Sequence, residues 1–220
     1  MRILIFLLIV FISVTCKAQV NLNFQSTYLK DKWITDSLNS ISKDSIQISL
    51  FKMYISNVEL KNGNKVVFKE KNSFHLIDFS DTSTTSFLLT NKKVNFTSIS
   101  FQVGVDSSTT LSGALGGDLD PTKGMYWTWQ TGYIHFKLEG INNFKTKKDF
   151  VYHIGGFQHP NNTLRKIELK TIKSNDISID FQLDQLIQEI EKMNIDQVMS
   201  PGNTANEISF IISRCFKICN

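Results

Sequence analysis

Ile46-Gln-Ile-Ser-Leu-Phe-Lys-Met-Tyr-Ile-Ser-Asn-Val-Glu-Leu60 runs through Lys61 into Asn62-Gly63-Asn64 and then Lys65-Val66-Val67-Phe68. β-Branched and aromatic residues alternating with polar ones at period two describe a strand with one face buried. Asn-Gly between two such runs is the strongest short signal for a hairpin. Residues 46–60 therefore read as a long strand, or a bent pair, that turns back into 65–68. The same texture recurs along the chain at 20–26, 74–79, 94–105, 125–138, 150–154, 164–171 and 177–183. Strands at this spacing, separated by turn residues, predict an all-β fold: a single-domain antiparallel β-sandwich.

Two stretches near the end break the pattern. Residues 184–193 place Leu186, Ile187 and Ile190 at helical spacing, an amphipathic helix. Ser200-Pro201 reads as an N-cap followed by Pro at the first helical position, which starts a second short helix reaching about Ile212. Phe216 and Ile218 close a last strand. No internal repeat or low-complexity linker interrupts the run, so residues 19–220 read as one domain.

The first 18 residues are of another kind. Met1-Arg2 carries a positive charge, an apolar run from Ile3 to Val14 follows, and Cys16-Lys17-Ala18 precedes Gln19. The run is too short to cross a bilayer, which takes about 20 apolar residues. It reads as a signal peptide cleaved after Ala18, which implies a periplasmic or extracellular protein. Lipidation at Cys16 is the lesser reading, because Ser13 stands three residues before it where Leu is usual. Cleavage leaves 22 basic and 20 acidic residues, which gives no clustered basic footprint for nucleic acid. No second long apolar run predicts a membrane span. Cys215 and Cys219 remain. A pair in an exported chain suggests a disulfide, but four residues apart on a strand they are too distant to bridge, and two free thiols are the alternative.

Between Gly104 and Gly156 the chain concentrates aromatics, glycines, acids and two histidines. Residues 104–124 read as a long loop. If 125–138 is one strand, Trp127, Trp129, Thr131, Tyr133 and His135 share a face, with Gly132 as a possible bulge. Tryptophan in a β-protein most often packs in the core, and that is the plainer reading for Trp129. Of the four histidines, His159 lies in a His-Pro-Asn-Asn turn and is expected exposed. His75 has no second ligand near it in sequence. His153 stands in a strand beside Gly155-Gly156, close to the tryptophans. Imidazole is the commonest neutral ligand for copper and zinc, so His153 is the first candidate and His135 the reserve. Asp118 and Asp120, with Asp106 upstream, offer closely spaced carboxylates that suit Ca²⁺. The simpler reading is that they bond nearby main-chain amides.

Phe51-x-x-Tyr54-Ile55-Ser56-Asn57, Leu76-Ile77-Asp78, Gly104-Val105-Asp106-Ser107, Leu119-Asp120-Pro121, Gly124-Met125-Tyr126-Trp127-Thr128-Trp129, Gly132-Tyr133, Leu138-Glu139-Gly140 and His153-Ile154-Gly155-Gly156 occur in this order. Together they resemble the MbnP-like copper-binding protein family, over roughly Val20 to Ile218. The resemblance implies a β-rich sandwich exported in connection with methanobactin or surface copper uptake. It also implies a tryptophan oxidised to kynurenine by a partner di-haem peroxidase-like enzyme, which joins histidine around copper. The modified residue would fall on Trp127 or Trp129 and the histidine on His153. Family members pair the tryptophan with a histidine two residues on, whereas this chain has Trp129 after Trp127 and Thr131 after Trp129.

Catalytic signatures are missing: no Ser-His-Asp order, His-Glu-x-x-His, phosphate loop or dinucleotide fingerprint occurs. Glu139, before Gly140, reads as a strand-end turn residue. The expected function is copper binding without catalysis. The alternative is a secreted module whose Trp-rich face takes a ligand or protein partner.

Overall fold

Alternation along the strands sorts the side chains onto two faces, and phenylalanines carry the contact between them. The computed structural model describes residues 19–28, 31–33, 46–71, 73–130, 132–142, 148–171 and 175–219. The segment read as a signal peptide lies outside these residues. In chain order the elements are β1 (Val20–Tyr28), β2 (Asp31–Trp33), β3 (Ile46–Asn62), β4 (Lys65–Lys69), β5 (Phe74–Asp78), β6 (Ser86–Thr90) and β7 (Ser98–Val103). After them come α1 (Ser107–Leu111), β8 (Tyr126–Trp127), β9 (Gly132–Asn142), β10 (Lys148–Gly155), β11 (Arg165–Lys170) and β12 (Asp176–Gln182). The chain finishes with α2 (Leu183–Met193), β13 (Gln197–Val198), α3 (Asn203–Ser213) and β14 (Phe216–Ile218).

One sheet has the order β14-β12-β1-β2, with β6 also on β1. The larger has the order β11-β7-β3-β9-β10-β13, with β4 and β5 on β3 and β8 on β9. The two face each other as a sandwich. Phe181 of the smaller sheet meets Phe51 and Phe136 of the larger at 5.3 and 5.6 Å between ring centroids. Phe24 and Phe216 meet Phe101 at 5.8 and 5.3 Å, both edge to face, the geometry that the ring quadrupole favours. Helix α2 buries Leu183, Leu186, Ile187 and Ile190, the stripe its sequence spacing predicts. No helix among the described residues is long and apolar enough to cross a membrane.

The predicted hairpin is present: β3 returns as β4, with Asn62 opposite Lys65. Four expectations are refined or overturned. The sandwich is mixed: β1 pairs with β12, and β10 with β13, in parallel. The run 125–138 is not one strand but a hairpin. Tyr126 pairs with Tyr133 and Trp127 with Gly132, and residues 128–130 form the turn. Trp127, Trp129 and His135 therefore do not share a strand face. The bulge lies not at Gly132 but at His135, where the pairing with β10 slips between Ile154 and Gly155. Finally, α3 starts at Asn203 with Gly202 at its cap. Pro201 precedes the helix, because the extended backbone of Gly202 separates the two.

Candidate functional site

Tyr54 points to the opposite face of β3 from Met53 and Ile55. It joins a second, smaller core with Leu76, Val105, Leu119, Met125, Trp127, Tyr133 and Ile134. Residues 104–130 form this cluster's cover over the outer face of the larger sheet. The loop owes its shape to its acids. Asp106 caps α1, with its carboxylate accepting from the Thr109 N–H at 2.9 Å and from the Ser108 and Thr109 hydroxyls. Burial raises its pKa, but those hydrogen bonds outweigh it and hold the carboxyl below its usual range. Asp118 accepts from the Leu76 N–H at 3.1 Å and pairs with Lys123 at 2.7 Å, while its carbonyl accepts from the Tyr54 hydroxyl at 3.0 Å. Asp120 accepts from the N–H and hydroxyl of Thr122, which lower its pKa.

Asp106 and Asp120 thus serve their own turns, whereas Asp118 ties the loop to β5 and to Lys123. No group of three or more His, Cys, Asp or Glu that could hold a metal lies among the described residues, and for Asp106 and Asp120 the hydrogen bonds are those of the local-amide reading. Asp120→Ala should lower stability slightly through the lost capping bonds to Thr122. A chelator should leave the melting temperature unchanged; a chelator-induced drop would restore calcium.

The four histidines take four different roles. His135 sits at the bulge, 1% exposed, with Nδ1 3.0 Å from the Thr163 hydroxyl. Its ring lies over Gly104, where a Cβ would fall 2.5 Å from ring Cγ; only glycine fits there, at φ +116. Burial pushes its pKa down to about 4, against main-chain hydrogen bonds at Thr163 and Val105. The reserve ligand is thus a sealed neutral core residue. Because the unfolded chain binds this proton near 6.5 and the folded one only near 4, stability should fall as pH drops through that interval. By linkage the loss from this one group is roughly 3 kcal/mol, and an urea titration series across the interval, compared with His135→Gln, measures it.

His153 is 8% exposed and faces away from the sandwich core, on the opposite side of β10 from Tyr152 and Ile154. Its Nε2–H donates to Glu139 Oε1 at 2.7 Å. Glu139 is not at a strand end, since β9 continues to Asn142, and Lys137 lies 3.6 Å from the same carboxylate. Burial lowers the His153 pKa more than Glu139 raises it, so the ring is neutral at pH 7 and Nδ1 keeps a bare lone pair. Sequence reasoning missed Glu139. The available signal was a His and a Glu on like-facing positions of adjacent antiparallel strands.

Trp127 is 6% exposed and lies on Gly155, two residues from His153 on the same face of β10; a Cβ at Gly155 would meet its Cζ3 at 2.7 Å. Trp129, in the turn, is 64% exposed, against the core role expected for it. The two indoles stay close, 5.9 Å between centroids. His75 pairs with Glu70 at 3.0 Å and stacks on Phe87 at 3.6 Å. His159 is exposed, as its turn predicts, and with Trp127 it lines a cavity of about 120 Å³. The remaining walls are Gln130, Gly132, Tyr133, Gly156, Phe157, Gln158, Asn161 and Pro201. Cys215 and Cys219 are both free thiols. Burial pushes Cys215 up to about 12, and its Sγ–H donates to the Ile211 carbonyl, which leaves it unreactive.

The fold is similar to that of MbnP from Methylosinus trichosporium, with 12% identity, a TM-score of 0.57 and 77% of each chain covered. No curated protein matches the sequence. The profile of the MbnP family matches residues 17–206, which contains the whole outer-face loop, the tryptophan hairpin and the His153 strand, and the chain belongs to that family.

Proposed function

We propose that this is an exported, non-catalytic copper-binding protein in which His153 supplies the imidazole and Trp127 the neighbouring side chain. The observation that carries the reading is the contact between buried His153 and half-buried Glu139, on the face of β10 that Trp127 covers at Gly155. Metal-binding histidines typically donate their second ring nitrogen to a carboxylate, which sets the tautomer and aims the free lone pair. One imidazole does not make a tight Cu(I) site, which wants at least two soft or imidazole donors. The donor set of the unmodified chain is therefore incomplete. Oxidation of Trp127 to kynurenine, whose aromatic amine and ketone are donors, would add to it: hydrogen peroxide supplies both oxygens that split the indole C2–C3 bond and is reduced to water, hydrolysis releases C2 as formate, and a di-haem peroxidase-like partner is the catalyst the family resemblance implies. Recombinant chain made without that partner should bind copper weakly, and protein from its native cell should bind more tightly and show an altered intact mass. Equal affinity and the unmodified mass in both would remove Trp127 from the site.

Export belongs to the same reading. Mature protein should begin at Gln19 without an acyl group, and N-terminal sequencing of exported material starting at an acylated Cys16 would replace this with a lipoprotein.

A further inference from the structure

The cavity between the tryptophan hairpin and the turn after β10 is lined by neither His153 nor Glu139. Its walls are the rings of Trp127 and Phe157, and its polar groups are Gln130, Gln158, Asn161 and His159. No Asp, Glu, Lys or Arg lines it. An ion entering would shed water and gain no counter-charge, which is costly. A neutral ligand avoids that cost. Three amides and an imidazole each offer donors and acceptors, so they suit a ligand with several groups that both donate and accept. Hydroxyls have that property. Flat aromatic walls favour a ligand with an apolar face, and about 120 Å³ admits one six-membered ring.

Backbone geometry holds the cavity open. Gly156 has φ +137, and a Cβ there would fall 2.3 Å from the Asn161 carbonyl and 3.2 Å from Pro201 Cβ. The Ser107 hydroxyl donates to the Phe157 carbonyl at 2.7 Å, which ties the turn to the outer-face loop. Of the residues in the copper reading, only Trp127 lines this cavity. We infer that it binds a neutral pyranose ring, stacked on the aromatic walls and hydrogen-bonded by Gln130, Gln158 and Asn161.

The test is titration of the whole exported chain with neutral pyranoses (glucose, galactose, N-acetylglucosamine), followed by tryptophan fluorescence and by ligand-observed NMR. At least one should bind saturably in the millimolar range. Glucuronate and protonated glucosamine should bind at least tenfold more weakly than their neutral counterparts. Gln130→Ala and Gln158→Ala, both at exposed positions, should each weaken binding roughly fivefold, the size of one hydrogen bond, while copper affinity stays unchanged. His153→Ala should leave sugar binding intact, which separates failure of this inference from failure of the copper reading. The inference is overturned if no neutral pyranose saturates, if the charged sugars bind equally well, if a neutral nucleobase binds and the sugars do not, or if the two glutamine variants bind like the wild type.

Discussion

Copper titration of His153→Ala should give no binding above background, whereas His159→Ala should titrate like the parent. The contrast follows from position. His153 is buried with its Nε2–H committed to Glu139 at 2.7 Å, so its remaining nitrogen is a directed donor. His159 is exposed, lines the cavity and has no such orienting carboxylate among the described residues. Glu139→Gln should weaken copper roughly 10- to 100-fold, as loss of an outer carboxylate typically does. The pH profile adds an independent readout. Folded His153 titrates below 6.5 because burial outweighs the carboxylate. A proton on Nδ1 competes with metal, so binding should persist as pH falls past the ordinary imidazole range and fail only below it. Wild-type affinity in His153→Ala would remove this histidine from the site.

How much of this was legible beforehand differs between scaffold and site. Strands are legible in the sequence where β-branched and aromatic residues alternate with polar ones between turn residues. Thus β3, β10, β11 and β12 lie within a few residues of their predicted bounds, and the Asn-Gly hairpin is in place. The tryptophan run shows where the pattern misleads. Residues 125–138 alternate convincingly, but alternation does not report a two-sided environment. Here Trp127 packs in the small outer core while Trp129 occupies a turn, and 128–130 fold the chain back on itself. Parallel pairing of β1 with β12 was invisible because the partners are some 155 residues apart, and local pattern carries no information about such closures. Cap residues were legible in type: Asp106 and Asp120 do bond nearby main-chain amides. The cap of α3 was not, because Ser200-Pro201 mimics a helix start that Gly202 delays. Glu139 as the partner of His153 requires the register of β9 against β10, which no single segment contains.

Gly155→Ala is expected to be the most damaging single-methyl change on this face. The added Cβ would stand 2.7 Å from Trp127 Cζ3, 2.9 Å from its Cη2 and 2.7 Å from the Tyr133 carbonyl oxygen. The ring could tilt, but the carbonyl belongs to β9 next to its pairing with β10 and cannot retreat without breaking the register at the His135 bulge. Overpacking of this kind costs about 3 kcal/mol, which for a domain of this size lowers Tm by roughly 6–12 °C. Trp127 fluorescence should shift as the indole is pushed out of its cover, and copper binding should weaken with it if the two residues share a site. A Gly155→Ala, Trp127→Phe double variant separates the two clashes. It should recover only part of the stability, because the smaller ring relieves one contact and leaves the carbonyl. Full recovery would mean that the indole alone resists the methyl group. Unchanged stability in Gly155→Ala would mean that Trp127 does not rest on this glycine, and it would remove the contact that places the tryptophan beside His153.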